Sequence, residues 1–117
     1  MSIERLKKRR EFLRVSRTGA RWVERGLVLQ AAPRGSDLPE ECARIGFTVT
    51  KKVGNAVERN RARRRLKAAA AEVMPQFARP AIDYVVIGRH TTLSRPYARL
   101  VDDLKTAVSR IKIRDSK

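Results

Sequence analysis

At 117 residues, with 42% hydrophobic but only 5% aromatic side chains, the chain has room for one domain, 1–117, with a mainly aliphatic core. Its 28 Lys and Arg against 12 Asp and Glu leave a formal net charge of +16, which repels itself and calls for a polyanionic partner: nucleic acid first, an anionic membrane surface second. No apolar run approaches the roughly 18 residues of a spanning helix, the charged stretch Met1–Arg10 has no apolar signal core behind it, and the lone Cys42 excludes an intrachain disulfide or a cysteine metal cluster.

These features place the expected protein in the cytoplasm, with Cys42 a buried or bystander thiol. In chain order, Lys8 to Thr18 reads as a short helix, with Phe12, Leu13 and Val15 apolar and Gly19 as its stop. Leu27, Leu29 and Ala31 alternate with Val28 and Gln30 in a first strand. A turn-rich loop runs from Pro33 through Gly35, Asp37 and Pro39, and its acids Asp37, Glu40 and Glu41 are expected to face solvent away from any RNA. Ile45, Phe47 and Val49 then alternate with Arg44, Gly46, Thr48 and Thr50, a half-buried strand with a small polar face.

From Asn55 the period changes. Asn55 caps a helix that runs through Ala68–Ala71 and is expected to stop before Pro75. Asp83 to Arg89 is a short apolar strand, central rather than edge. Ser94 and Pro96 open a last helix with Leu100, Leu104, Val108 and Ile111 as its stripe. The order is helix, two or three strands, long helix, strand, helix, which makes an α/β sandwich with helices on a mixed sheet.

Between Lys51 and Lys67 stand eight basic residues (Lys51, Lys52, Arg59, Arg61, Arg63, Arg64, Arg65, Lys67) and one acid, Glu58. At about 100° per residue, Ala62, Leu66, Ala69 and Val73 share a narrow face, and the stripe Asn60, Arg63, Arg64, Lys67 lies nearly opposite. Arg59 and Arg65 flank the apolar face, and Arg61 lies nearer the polar side. Solvated charged faces usually mix signs, whereas this one repels itself at i,i+4 spacing. Guanidinium forks suit phosphate oxygens, and Asn60 adds a base-edge or sugar contact.

The run Arg44-Ile-Gly-Phe-Thr-Val-Thr-Lys-Lys-Val-Gly-Asn-Ala-Val-Glu-Arg-Asn-Arg-Ala-Arg-Arg closely resembles the signature of the bacterial ribonuclease P protein subunit. In that family a strand ending in Lys-Lys leads into a helix with an Arg-Asn-Arg motif. Weaker similarity covers Arg5-Leu6, Phe12–Val15, Asp83–Arg89 and the closing helix. The resemblance implies an α+β fold with a four-stranded sheet, helices packed on it and a left-handed β-α-β crossover. Periodicity alone does not show that crossover, because parallel connections are normally right-handed.

The resemblance also implies the work. The RNA subunit cleaves the 5′ leader from precursor tRNA by magnesium-assisted hydrolysis, with Mg2+ bound mainly by that RNA, and no catalytic or metal-ligating residue is expected in the protein. One protein per RNA subunit, no membrane, and precursor tRNA as second partner complete the expectation. By position, Lys51, Lys52, Arg59, Asn60, Arg61, Arg63, Arg64 and Lys67 fall to the RNA subunit and its border with the leader. Phe12, Val15, Val28, Gln30, Thr48, Thr50 and Arg89 fall to a leader cleft between the first helix and the sheet. Ser16 stands where relatives usually carry a second aromatic residue, Gln30 where some have Tyr, and Lys67 where Arg is frequent. Phe12 then remains as the aromatic platform, or as an ordinary core residue.

Other residues carry weaker chemistry. His90 is the sole histidine and reads as surface. Asp102 and Asp103 diverge by about 100° on a helix and are assigned to solubility. Gly54 permits a turn, and Trp22 either stacks on RNA or fills the core edge, the latter favoured. A stand-alone nuclease would need a general acid and base or a carboxylate metal cluster, which the chain does not offer convincingly. A ribosomal or chaperone-like RNA binder fits the charge but not the Arg-Asn-Arg signature.

Overall fold

The computed structural model describes residues 2–34 and 42–113. Along the chain come β1 (Ser2–Arg5), α1 (Arg9–Thr18), β2 (Ala20–Val23), β3 (Leu27–Pro33), β4 (Cys42–Thr48), α2 (Ala56–Phe77), β5 (Ile82–Gly88) and α3 (Tyr97–Arg110), with a 3-10 turn at His90–Leu93 before α3. Residues 35–41, which include the acids Asp37, Glu40 and Glu41, lie outside the described part.

The strands form one mixed sheet in the order β1-β4-β5-β3-β2. β4 runs parallel to β1 and β5, and β3 runs antiparallel to β5 and β2. β5 is therefore central, as its continuous apolar run requires. β4, α2 and β5 make the β-α-β unit expected from the resemblance. The sheet has five strands rather than four. Both edge strands, β1 and β2, are only four residues long and carry charge at Glu4, Arg5 and Arg21, so neither shows a long alternation.

Side-chain alternation sorts the strands between two layers. Leu27, Leu29 and Ala31 of β3, Ala43 and Ile45 of β4, and Tyr84 and Val86 of β5 bury against α2 and α3 in the main core. α2 contributes Ala62, Leu66, Ala69 and Val73 to it, and α3 contributes Leu100, Leu104 and Val108. Trp22 packs at the edge of this core, its indole Nε1–H donating to Glu24 at 2.5 Å. The opposite face carries α1 alone, over a second, smaller cluster of Leu6, Val15, Ala32 and Val85.

α2 begins where expected. Asn55 Oδ1 accepts from the Glu58 N–H at 2.9 Å and Glu58 Oε1 accepts from the Asn55 N–H at 3.0 Å, a reciprocal capping box. It does not stop before Pro75 but continues to Phe77. Pro75 has no N–H for the carbonyl of Ala71, yet Ala71 is exposed and water can serve that oxygen. Buried Met74, the Ala78 N–H bonded to its carbonyl at 3.0 Å, and Phe77 beneath the Lys105 ammonium hold the last turn.

The small α1 layer is clamped by charge. Asp83 of β5 is fully buried. Its register partner Arg44 of β4 grips it with Nε to Oδ1 at 2.8 Å and Nη2 to Oδ2 at 2.7 Å. Arg14 of α1 adds Nη2 to Oδ2 at 2.5 Å and Nη1 to the Pro33 carbonyl at 2.7 Å. Arg44 also pairs with Glu11 of α1. Partial burial pushes the Glu11 carboxyl up, but the N–H groups of Lys8 and Lys7 and the charge of Arg44 outweigh it and hold the group below its usual range.

Removing the hub should therefore loosen the whole α1 layer. Asp83→Ala strands buried positive charge and is expected to cost about 3–5 kcal/mol, nearer the lower figure because Arg14 retains a path to water. Urea unfolding of the variant measures this directly; a loss below about 1 kcal/mol would mean that the apolar contacts of α1 suffice.

Candidate nucleic-acid interface

A groove of about 430 Å3 opens between α1 and the sheet. Arg9, Phe12, Leu13 and Ser16 line one wall, at i, i+3, i+4 and i+7 of α1. Gln30 of β3, Thr48 of β4, and Val85 and Ile87 of β5 line the other. The Phe12 ring is seated on Gly46: a Cβ there would meet its Cε1 and Cζ at 2.4 Å. Phe12 is thus half-buried, with its other side left to the groove. Among the described residues, no side-chain hydrogen bond engages Gln30, Ser16 or Thr48, so their polar groups are available to a guest.

Of the residues assigned to this cleft from the sequence, Phe12, Gln30 and Thr48 line it together. Val15 is fully buried in the cluster under α1, and Val28 is 5% exposed; neither lines the groove. Thr50 is exposed in the turn after β4, whose Val53 N–H donates to the Thr50 carbonyl at 3.0 Å. Arg89 lies past the end of β5, where Nη1 donates to the Glu24 carbonyl at 2.5 Å, and it borders a separate depression with Arg25, Thr91, Ser94 and Arg95. Arg9, Leu13, Val85 and Ile87 were not read from the sequence. Helical spacing from Phe12 and the shared face of residues 83, 85 and 87 were the signals for them.

The basic helix presents a second surface. Lys51 and Lys52 are exposed in the turn that precedes it. Gly54 adopts φ +157°, and a Cβ there would meet the Glu58 carboxylate at 2.5 Å, so the turn into α2 needs glycine. Asn60, Arg61 and Arg64 form the exposed crest of α2, while Arg63 and Lys67 are half-exposed on its flank. Arg63 Nη1 donates to Asn60 Oδ1 at 3.2 Å and Arg59 Nη1 to the Gly54 carbonyl at 3.1 Å. Arg65 is spent on structure: it donates to the carbonyls of Thr92, at 3.1 Å, and Arg95. Among the described residues, no ion pair neutralises any basic side chain of α2.

The adjacent aspartates divide their work, which corrects their joint assignment to solubility. Asp102 is exposed, but Asp103 is 5% exposed and takes two bonds from Arg95, at 2.7 and 2.9 Å, and one from the Gly26 N–H at 3.0 Å. It ties the β2–β3 turn to α3. His90 is exposed at the start of the 3-10 turn.

A family model described as Ribonuclease P matches residues 2–112. The chain is 56% identical to the ribonuclease P protein component of Paramagnetospirillum magneticum over 110 residues, covering 93% of this chain and 83% of that one. It is 50% identical to the component of Caulobacter vibrioides, covering 92% and 70% respectively. Among solved structures, the RNase P protein of Thermotoga maritima superposes with a TM-score of 0.76 at 25% identity, over 93% of this chain and 98% of that chain. That of Staphylococcus aureus gives 0.70 at 27% identity, over 86% and 88%.

The Phe12–Gly46 seat is open to a direct check. Gly46→Ala should push the ring off the strand and cost about 1–3 kcal/mol, as overpacking does. In a cycle with Phe12→Ala, the penalty of Gly46→Ala should largely vanish once the ring is gone. Equal penalties in both backgrounds would place the clash elsewhere.

Proposed function

The chain belongs to the ribonuclease P protein family, and from that membership we propose that it holds two RNAs on two separate surfaces. It is the protein subunit of the ribonuclease P endoribonuclease, which matures the 5′ end of tRNA, and its partner is the ribonuclease P RNA. The crest Asn60, Arg61 and Arg64, with Arg59, Arg63, Lys67 and the Lys51–Lys52 turn beside it, lies against that RNA. The α1 groove takes the single-stranded leader of precursor tRNA. One protein serves one RNA, in the cytoplasm. Among the described residues, no helix is long and apolar enough to cross a membrane.

The observation that carries this reading is the division itself. An unneutralised basic crest suits duplex phosphates, which are bound by charge and geometry. The α1 groove instead offers one aromatic face, an amide and two hydroxyls, the chemistry that holds unpaired bases. Phe12 supplies the stacking surface, Thr48 a hydroxyl, and Ser16 and Gln30 supply polar groups where relatives usually, or in some cases, carry a further ring. Arg9 at the groove wall is placed for a leader phosphate.

Magnesium is the metal of the reaction. Among the described residues, no three His, Cys, Asp or Glu side chains come together, and the buried carboxylates of Asp83 and Asp103 are already held by arginines. The described carboxylates do not assemble a magnesium site; in this reading the metal is bound mainly by the RNA, and the protein contributes binding and positioning.

Two variants separate the surfaces. Arg64→Ala should weaken binding to the RNA subunit by about 1.5–3 kcal/mol with no leader present, the loss of one charge-assisted contact. Phe12→Ala, once a melting curve shows that it folds, should weaken holoenzyme affinity for precursor tRNA by about 1–3 kcal/mol and leave mature tRNA binding unchanged. Protein titrated into RNA subunit, then holoenzyme titrated into each tRNA, gives both numbers. Equal weakening toward the two tRNAs by folded Phe12→Ala would remove the leader from this groove.

A further inference from the structure

A second groove lies on the other face of the sheet, at the seam where the edge strand β1 meets α2. It holds about 280 Å3, with Ile3, Phe47, Met74 and Pro75 along an apolar floor and Arg5 and Lys67 as its two cations. Among the described residues, no carboxylate lines it. Glu4, the acid next to Arg5 in the chain, faces the opposite side of the sheet, where it accepts from Cys42 Sγ at 3.3 Å. Partial loss of water, with Arg5 and Arg63 close by, holds the Lys67 ammonium below the ordinary lysine range. Positive charges have therefore been brought together with no counter-ion among the described residues, beside an aromatic ring that is half-exposed.

We propose that this groove takes one unpaired nucleotide of an RNA, its base on the Phe47–Pro75 floor above buried Met74 and its phosphate between Arg5 and Lys67. Three features select that occupant. The cations match a phosphate and are poorly explained as a solvated surface, because they repel one another. The floor is apolar and carries an aromatic side chain, which suits a planar base. Through Arg63 and Lys67 the groove also continues the basic crest of α2, so an RNA lying on α2 passes its mouth. The footprint on the protein then extends from α2 onto β1, and Arg5 becomes a phosphate contact that the Arg-Asn-Arg helix does not include.

Methyl-resolved NMR of the full chain tests this with the mononucleotide alone, so the outcome does not depend on assembly with the RNA subunit. Adenosine 5′-monophosphate is titrated against adenosine, inorganic phosphate and phosphatidylglycerol vesicles. The nucleotide should shift the methyl groups of Ile3, Ile45 and Met74 and bind more tightly than adenosine or phosphate. Arg5→Ala, a change at an exposed residue, should weaken it roughly fivefold to tenfold through loss of one charge-assisted contact. Shifts confined to Ile87 in the α1 groove would overturn the proposal. So would unchanged affinity in Arg5→Ala, equal binding of phosphate alone, or a response to the vesicles without one to the nucleotide.

Discussion

One buried carboxylate holds the working geometry together. Asp83 lies in the central strand of a chain with net charge +16, fully withdrawn from water, and is gripped by Arg44 from the neighbouring strand and Arg14 from α1. A lone buried charge is costly unless it is paired and hydrogen-bonded, and here both carboxylate oxygens are occupied. The apolar contacts under α1 are few, with Val15 the one buried residue of the helix itself, worth about 1.5–3 kcal/mol. Non-directional burial of that size allows α1 to slide or roll. The arginine forks fix it, and with it the width of the groove that Phe12 borders.

The sheet then works as a partition. α2 and α3 cover one face with a continuous aliphatic core, and the outer side of α2 carries its charge away from α1. The other face is only partly covered, which leaves Gln30, Thr48 and Ile87 in reach of a guest. A structured RNA engaging α2 and a single strand lying under α1 thus do not compete for the same side chains. Charge repulsion across the free protein is relieved when RNA binds, so its stability rises with RNA concentration by mass action.

Much of this was legible in the sequence where one physical rule acted alone. The Asn55 cap, the 3.6-residue rhythm of Ala62, Leu66, Ala69 and Val73, and the unbroken apolar run of β5 each specify their element locally. β1 and β2 were not legible, because a four-residue edge strand is defined by the neighbour it pairs with. Pro75 misplaced the end of α2, since the exposed carbonyl it leaves bare costs little in the last turn. The family resemblance assigns Val15 to the cleft, although its spacing from Phe12 is that of an apolar helix face, and the docking of α1 turns it inward. Asp83 and Asp103 were the least legible: their partners stand 39 and 8 residues away, or on another element altogether, and no local pattern joins them. A lone acid inside an apolar strand of a strongly basic chain was the available signal.

That the protein lends binding and geometry while the RNA performs the hydrolysis is tested most directly by cleavage of precursor tRNA under three conditions: protein alone, RNA subunit alone, and both together, across a magnesium series. The expected result is no cleavage by the protein at any magnesium concentration, cleavage by the RNA subunit only when magnesium is high, and cleavage by the pair at low magnesium. Cleavage by RNA-free protein, abolished by changing one of its carboxylates, would contradict it.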